Sequence, residues 1–352
     1  MLKFIPLGGI GDVTKNMYVY EYQDKILVVD CGIGFPDPTM LGVDLLIPDT
    51  SYLEERKEQI VGIILTHGHD DHIAGLPYIL PKLGRIPVYG SRLTIGFAQE
   101  RLKEFDIKGD LREIDDSREL RLGPFSVETI KVTHSVPDAR HLAITTPEGT
   151  MYHGPDFKFD LNPVDGVLPE FQKIAQIGRR GVMCLLSDCL RSEKPGFSLS
   201  ESILKETFER EIMDAKGKFI VTAMSSNVHR IQQAIDVAVA HGRKVALVGR
   251  SVESNIKTAM RLGLMRLPGK ALIDKWQISK LPAHQVCVII AGSQGQPGSS
   301  LVRAAEDEHD LVKINPEDKV VFSTEPIPGN ENPVYGTIDT LSRQGVDVAY
   351  SD

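Results

Sequence analysis

The chain has 352 residues, 41% of them hydrophobic and 25% charged, enough for two or three domains with real cores. No apolar run reaches the roughly 18 residues of a membrane span, and residues 1–9 lack the basic start and long apolar stretch of a signal peptide, so the expected setting is cytoplasmic. The net charge of −8 argues against a protein that coats nucleic acid by general phosphate neutralisation, while leaving room for an enzyme with a local basic channel.

The first two hundred residues read as short strands with helices between them. Residues 2–6, 17–22 and 25–30 are strand-like, with Gly8-Gly9 and Gln23-Asp24 as turn signals. The apolar, β-branched run 60–65 predicts a buried strand, and 73–82 and 93–103 carry helical spacing. Further strands are expected at 125–132, 142–146, 150–153 and 182–187. From about residue 200 the rhythm changes. A helix is expected over 198–215 with Ser200 as its N-cap. Strand 218–223, helix 228–241, strand 245–248 and helix 251–262 follow, then strands 286–290 and 319–322, helix 334–344 and strand 346–350. Such alternation predicts an α/β chain whose second part is a parallel sheet flanked by helices. It places a domain boundary between residues 1–199 and 200–352. The four cysteines, Cys31, Cys184, Cys189 and Cys287, form no C-x-x-C pair, and buried free thiols are expected.

The segment Thr66-His67-Gly68-His69-Asp70-Asp71-His72 follows directly on the predicted strand 60–65. Imidazoles suit zinc and other late first-row metals, and carboxylates add hard oxygen ligands. His67 and His69 can face one ion while Asp71 and His72 face another. Further on, Ser225-Ser226-Asn227 precedes a predicted helix carrying His229, and backbone N–H groups at a helix start attract phosphate. The turn Gly292-Ser293-Gln294-Gly295 can present amides to an anion.

H-x-H-x-D-H is similar to the signature of the metallo-β-lactamase fold. The likeness continues in Thr133-His134-Ser135, in Gly154-Pro155-Asp156 and in Asp30 at a strand end. Leu186-Ser187-Asp188 and Ser226-Asn227-Val228-His229 resemble two motifs of the β-CASP group. Gly249-Arg250-Ser251, Gly292-Ser293-Gln294-Gly295, Pro326-Ile327-Pro328-Gly329 and the opening Gly8-Gly9-Ile10-Gly11 with Lys15-Asn16-Met17 resemble the ribonuclease J family. The resemblance covers essentially the whole chain. It implies a metallo-β-lactamase αββα sandwich joined to a β-CASP domain, acting as a metal-dependent ribonuclease of exonuclease or endonuclease type.

In that reading His67, His69 and His134 hold one divalent ion, Asp71 and His72 a second, and Asp156 bridges them, with zinc the first expectation and manganese the second. Asp30 orients the site from behind the ligands. A metal-bound hydroxide is expected to attack phosphorus. Asp71, Asp188 and His229 are the expected catalytic residues, His229 stabilising phosphate charge and Asp188 orienting the site or moving a proton. Ser226, Asn227, His229, Arg250, Ser293, Gln294 and Gly295 are the expected RNA-phosphate contacts, and the RNA is expected to carry a 5′-monophosphate.

The family pattern continues beyond Asp352 with a return to the first domain, a late histidine ligand and a dimerisation domain. No histidine follows His309, which stands in the charged run 306–310 read as solvated surface. The expectation is therefore a second cation held weakly, a sandwich short of some strands, and an open oligomeric state. Thr14, Pro155 and Glu325 depart from the family pattern, and the Glu325 carboxylate would repel an RNA phosphate. Three other readings stay open: an RNA-binding homologue impaired in catalysis, a different hydrolase on the same fold, and a DNA nuclease.

Overall fold

The computed structural model describes residues 1–36 and 39–350, and it divides into two compact units, Met1–Ser200 and Glu201–Asp352. In the first unit, β1 (Leu2–Gly8), β2 (Met17–Tyr22), β3 (Lys25–Val29), β4 (Ile60–Leu65), β5 (Pro87–Gly90) and β6 (Asp110–Glu113) form one sheet in that order. The first three strands pair antiparallel and the rest parallel. A second sheet runs β11-β10-β9-β8-β7, built from β7 (Leu120–Leu122), β8 (Phe125–Lys131), β9 (Arg140–Thr146), β10 (Gly149–Gly154) and β11 (Cys184–Ser187).

Strand alternation explains why the two sheets face each other. Tyr20, Leu27, Val29 and Ile64 of the first sheet and Phe125, Val127, Leu142 and Ile144 of the second share one buried cluster. The helices of this unit are α1 (Ser51–Glu54), α2 (Asp70–Ile73), α3 (Leu76–Leu83), α4 (Arg92–Glu104) and α5 (Phe171–Arg180). Ile177 of α5 packs on Ile130, Ala143 and Tyr152, the outer face of the second sheet. Helices α3 and α4 pack on each other and bury Leu76, Ile79, Leu93 and Phe97. These are the layers of a metallo-β-lactamase sandwich.

The second unit is a six-stranded sheet in the order β14-β13-β15-β12-β16-β17, parallel throughout. Its strands are β12 (Phe219–Thr222), β13 (Lys244–Val248), β14 (Leu272–Ile273), β15 (Val286–Ile290), β16 (Lys319–Phe322) and β17 (Asp347–Ala349). Helices α6 (Leu204–Asp214), α7 (Val228–Ala240), α8 (Arg250–Arg261), α9 (Ser300–Ala305) and α10 (Glu331–Arg343) cover it. The central strands are apolar on both faces, as burial under helices on two sides requires; all five residues of β15 are buried.

Several expectations change in detail. The single helix expected over 73–82 is two, because the Gly75 N–H turns away to the Cys31 carbonyl at 2.9 Å and breaks the run. Ser200 does not cap α6. Its Oγ lies 3.0 Å from Asp160 Oδ2 and 2.8 Å from the Asn162 carbonyl, to either of which its one proton can be donated, and a 3-10 turn at Glu201–Ile203 leads into the helix. The cysteines are free, but only Cys31 and Cys287 are buried; Cys184 is half-buried and Cys189 exposed. His309 is not solvated. It is buried inside an otherwise exposed acidic run, and its Nδ1 accepts the N–H groups of Leu311 and Val312, each at 3.2 Å.

Candidate metal centre

Strand β4 ends at Leu65, and the chain then turns so that Thr66, His67 and His72 lie fully buried beneath the ends of β3 and β4. Backbone bonds lash the end of β4 and this turn to the segments after β3 and before β2. Asp30 N–H donates to Ile64 O at 2.9 Å, Cys31 N–H to His72 O at 2.8 Å and Asn16 N–H to Asp71 O at 3.0 Å. Gly32 sits where the strands converge, and a Cβ there would collide with the Asp71 carbonyl oxygen. Gly32→Ala is therefore expected to cost about 2–3 kcal/mol or more through overpacking. Chemical denaturation at equilibrium measures it.

The donor atoms converge on two points. His67 Nε2 and His134 Nε2 each lie 3.1 Å from His69 Nδ1. Asp156 Oδ2 stands 3.7 Å from His134 Nε2 and 4.0 Å from His67 Nε2. At the second point His72 Nε2 lies 3.5 Å from Asp71 Oδ2 and 3.7 Å from Asp156 Oδ1. Asp156 thus gives one oxygen to each group, and all donors within a group are within 4.8 Å of one another.

These spacings fit divalent cations. Two ligands about 2.0–2.1 Å from a tetrahedral zinc stand roughly 3.3 Å apart. The hydrogen bonds made by the far nitrogens also turn the lone pairs of the near ones inward. Thr66 Oγ1 lies 3.1 Å from His67 Nδ1, Ser135 Oγ lies 3.0 Å from His69 Nε2, and Asp30 Oδ2 lies 2.8 Å from His72 Nδ1. With protons on those outer atoms, His67 Nε2 and His69 Nδ1 are acceptors, and His72 Nε2 is one when that ring is neutral. Converging lone pairs repel one another unless a cation sits among them. Burial first, and then the neighbouring imidazoles, hold His67 and His69 well below the usual histidine range, so protons do not fill that role.

The carboxylates divide the charge unevenly. Burial pushes Asp71 up to about 7 against the pull of His72. Burial also opposes ionisation of Asp156, but His72, His67 and His134 together outweigh it and hold its carboxyl well below the ordinary value. Burial opposes charge on His72, and the carboxylates of Asp71, Asp30 and Asp156 overcome it and raise its pKa.

Asp30 is fully buried in the left-handed region, with φ of 62°, a conformation that aspartate tolerates better than most residues. It accepts from Thr66 N–H at 2.8 Å and Thr66 Oγ1 at 2.9 Å besides His72. Asp188 is half-buried at the end of β11, its N–H on the Gly154 carbonyl and its Oδ1 accepting from Leu190 N–H, both at 2.8 Å. Burial, with Asp156 nearby, raises its pKa.

Sequence reasoning missed Thr66, Ser135 and above all Asn16. The buried Asn16 amide lies 3.1 Å from His72 Nε2 and donates to Asp71 Oδ2 at 3.3 Å, while its Oδ1 accepts from Tyr18 at 2.8 Å. The only signal was its place in Lys15-Asn16-Met17, on a segment far from the histidines in sequence.

In the second unit Asn227 caps α7, its Oδ1 accepting from Arg230 N–H at 3.2 Å. Ser226 is buried and His229, in the first turn of α7, is half-buried. Arg250 is exposed at the start of α8. Gly295 holds a left-handed turn with φ of 67°, and Ser293 Oγ turns inward toward Met224 Sδ. Gln294 makes its side-chain contacts within the second unit. Its amide nitrogen donates to Glu325 O at 3.0 Å and its oxygen accepts from Ile327 N–H at 2.8 Å. Its side chain therefore clamps the 325–327 loop.

The family profile for the metallo-beta-lactamase superfamily matches residues 10–154, and that for the ribonuclease J beta-CASP domain matches residues 216–341. The chain is 41% identical to ribonuclease J of Synechocystis over 99% of its own length and 55% of that protein's. It is likewise 41% identical to ribonuclease J of Thermus thermophilus, over 99% of this chain and 62% of that one. It therefore spans a little over half the length of these relatives. A protein of unknown function from Enterococcus faecalis V583 has a similar crystal structure, with a TM-score of 0.68 and 14% identity over 99% of this chain and 87% of that one, a likeness of fold. Among the described residues no helix is long and apolar enough to cross a membrane.

Proposed function

From its similarity to ribonuclease J proteins, we propose that the chain hydrolyses RNA phosphodiester bonds in a metal-dependent reaction. The observation that carries this is the pair of donor groups joined by the two oxygens of Asp156. His67, His69, His134 and Asp156 would hold one divalent cation, and Asp71, His72 and Asp156 the other. Zinc fits the imidazole-rich first group, while the more carboxylate-rich second also suits manganese. Such cations supply an activated water and charge stabilisation for in-line displacement at phosphorus.

The protein's own residues set the stage for that chemistry. Asp30, Thr66 and Ser135 fix which imidazole nitrogens face inward. Asp156 aligns both groups through one carboxylate. Asp188 orients the site and exchanges a proton with the reacting oxygens. In the β-CASP unit His229 neutralises developing phosphate charge, and the amides around Ser226, Asn227 and Gly295 bind phosphate, with Arg250 beside them. The substrate in this reading is RNA with a 5′-monophosphate, cut from the 5′ end or internally.

The double variant Asp71→Ala/His72→Ala is expected to lose hydrolysis and keep its fold, seen as an unchanged far-UV circular dichroism spectrum. Incubating 5′-monophosphate and 5′-triphosphate RNA with defined zinc or manganese reads both end preference and mode. Mononucleotides mark exonuclease action and internal fragments endonuclease action. Undiminished cleavage after exhaustive chelation would overturn the metal-dependent reading.

A further inference from the structure

The chain carries a net charge of −8, yet seven of the nine charged residues from Arg250 to Lys280 are basic. That stretch comprises α8, the edge strand β14 and the 3-10 helix Lys275–Lys280, all at one side of the β-CASP sheet. Arg250, Lys257 and Arg261 are exposed on α8. At about 100° per residue, spacings of seven and four bring all three within roughly 20° of one line along about 16 Å of helix. They form a cationic row, with Ser254 between the first two.

Beside the row stands the chain's one tryptophan. Trp276 is 61% exposed, although large aromatic side chains usually bury most of their surface. Its backbone is held firmly: Asp274 Oδ1 accepts the Trp276 N–H at 3.0 Å, and the Gln277 side chain closes the cap on Asp274 N–H at 3.1 Å. The preceding Lys275 is tied to Glu253 of α8 at 2.7 Å. The indole is thus presented from a fixed base next to the cationic helix, so little backbone entropy is lost when something stacks on it.

A row of cations beside an exposed, backbone-anchored aromatic ring matches the chemistry of single-stranded nucleic acid, in which phosphates take the charges and a base takes the ring. We propose that this edge of the β-CASP unit is a binding track for single-stranded RNA, with Arg250, Lys257 and Arg261 on the phosphates and Trp276 stacked on a base. The proposal rests on the RNA reading above for its ligand, but it adds a surface that the metal centre does not require. The exposed basic row favours RNA over an acidic peptide because the indole offers a platform to a flat base.

With one tryptophan in the chain, intrinsic fluorescence reports this residue alone. The full chain, with EDTA present to prevent cleavage, is titrated with fluorescein-labelled oligoadenylate, and tryptophan emission and oligonucleotide anisotropy are followed together. Both signals are expected to saturate at the same concentration. Lys257→Glu/Arg261→Glu is expected to weaken binding at least tenfold. The slope of log affinity against log salt should shrink by about 0.7 for each lost contact. Trp276→Leu is expected to weaken binding about tenfold. Affinity and salt slope that are unchanged in the double variant, or emission that does not respond at saturating RNA, overturn the track. Competition by polyglutamate as strong as that by RNA would assign the face to an acidic protein and also overturn it. Metal-dependent cleavage of a short RNA by wild type tests the nuclease reading separately. Cleavage without fluorescence change sinks only the track, and fluorescence change without cleavage sinks only the nuclease.

Discussion

Asp156→Ala is expected to lower RNA hydrolysis by about three orders of magnitude, with the protein still folded. Among the described residues Asp156 is the one side chain with an oxygen in each donor group, 3.7 Å from His134 Nε2 through Oδ2 and 3.7 Å from His72 Nε2 through Oδ1. Removing it takes a ligand from both groups at once. It also removes a negative charge that would offset the cations. The side chain is 36% exposed, so its loss opens no core cavity and the cost in stability should be small. Asp156→Asn keeps one acceptor oxygen and the shape, and should retain more metal than alanine does. Metal content after gel filtration, read beside the thermal unfolding midpoint, separates lost ligation from lost fold. Wild-type metal content in Asp156→Ala would show that the two groups do not share a bridging ligand.

Much of this donor cluster was legible in the sequence because its residues lie in compact runs at strand ends. His67, His69, Asp71 and His72 fall within six residues after an apolar β-branched strand, and strand β4 forms at 60–65 as its composition dictates. The alternation of strand and helix after residue 200 was legible for the same reason, since buried parallel strands are continuous apolar runs. Short elements were not. Strands β5, β6 and β7 span three or four residues each, too few for alternation to register, and α5 buries only Ile177 along its ten residues. Asn16 was illegible for a different reason. Its role comes from β-sheet pairing that brings residue 16 beside residues 71 and 72, and no local pattern encodes a contact 55 residues away. The internal bonds of Gln294 were illegible for the same reason, since their partners lie 31 and 33 residues further on.

Asp30→Asn is expected to remove the second cation while sparing the first, although it changes hardly any volume. The carboxylate accepts from Thr66 N–H, Thr66 Oγ1 and His72 Nδ1. An asparagine oxygen can still accept from the Thr66 N–H, and asparagine also tolerates the left-handed backbone at this position. Its NH2 group would then face His72 Nδ1. Two donors cannot share that contact, so the imidazole proton must move to Nε2. That nitrogen faces Asp71 and Asp156, and its lone pair is the one the second cation would use. The same logic makes an aspartate-to-asparagine change behind a catalytic histidine costly through the tautomer rather than through geometry. His67, fixed through Thr66 Oγ1, keeps its tautomer, so the first group stays intact. Metal content should fall from two ions per chain to one, with affinity at the second position reduced at least about 10- to 100-fold. Hydrolysis should fall with it, and excess manganese should restore part of it. Asp30→Ala, by contrast, leaves the buried Thr66 N–H without a partner and should also cost about 1–3 kcal/mol of stability. If Asp30→Asn bound two ions as tightly as the wild type, the lone-pair assignment at His72 would be wrong.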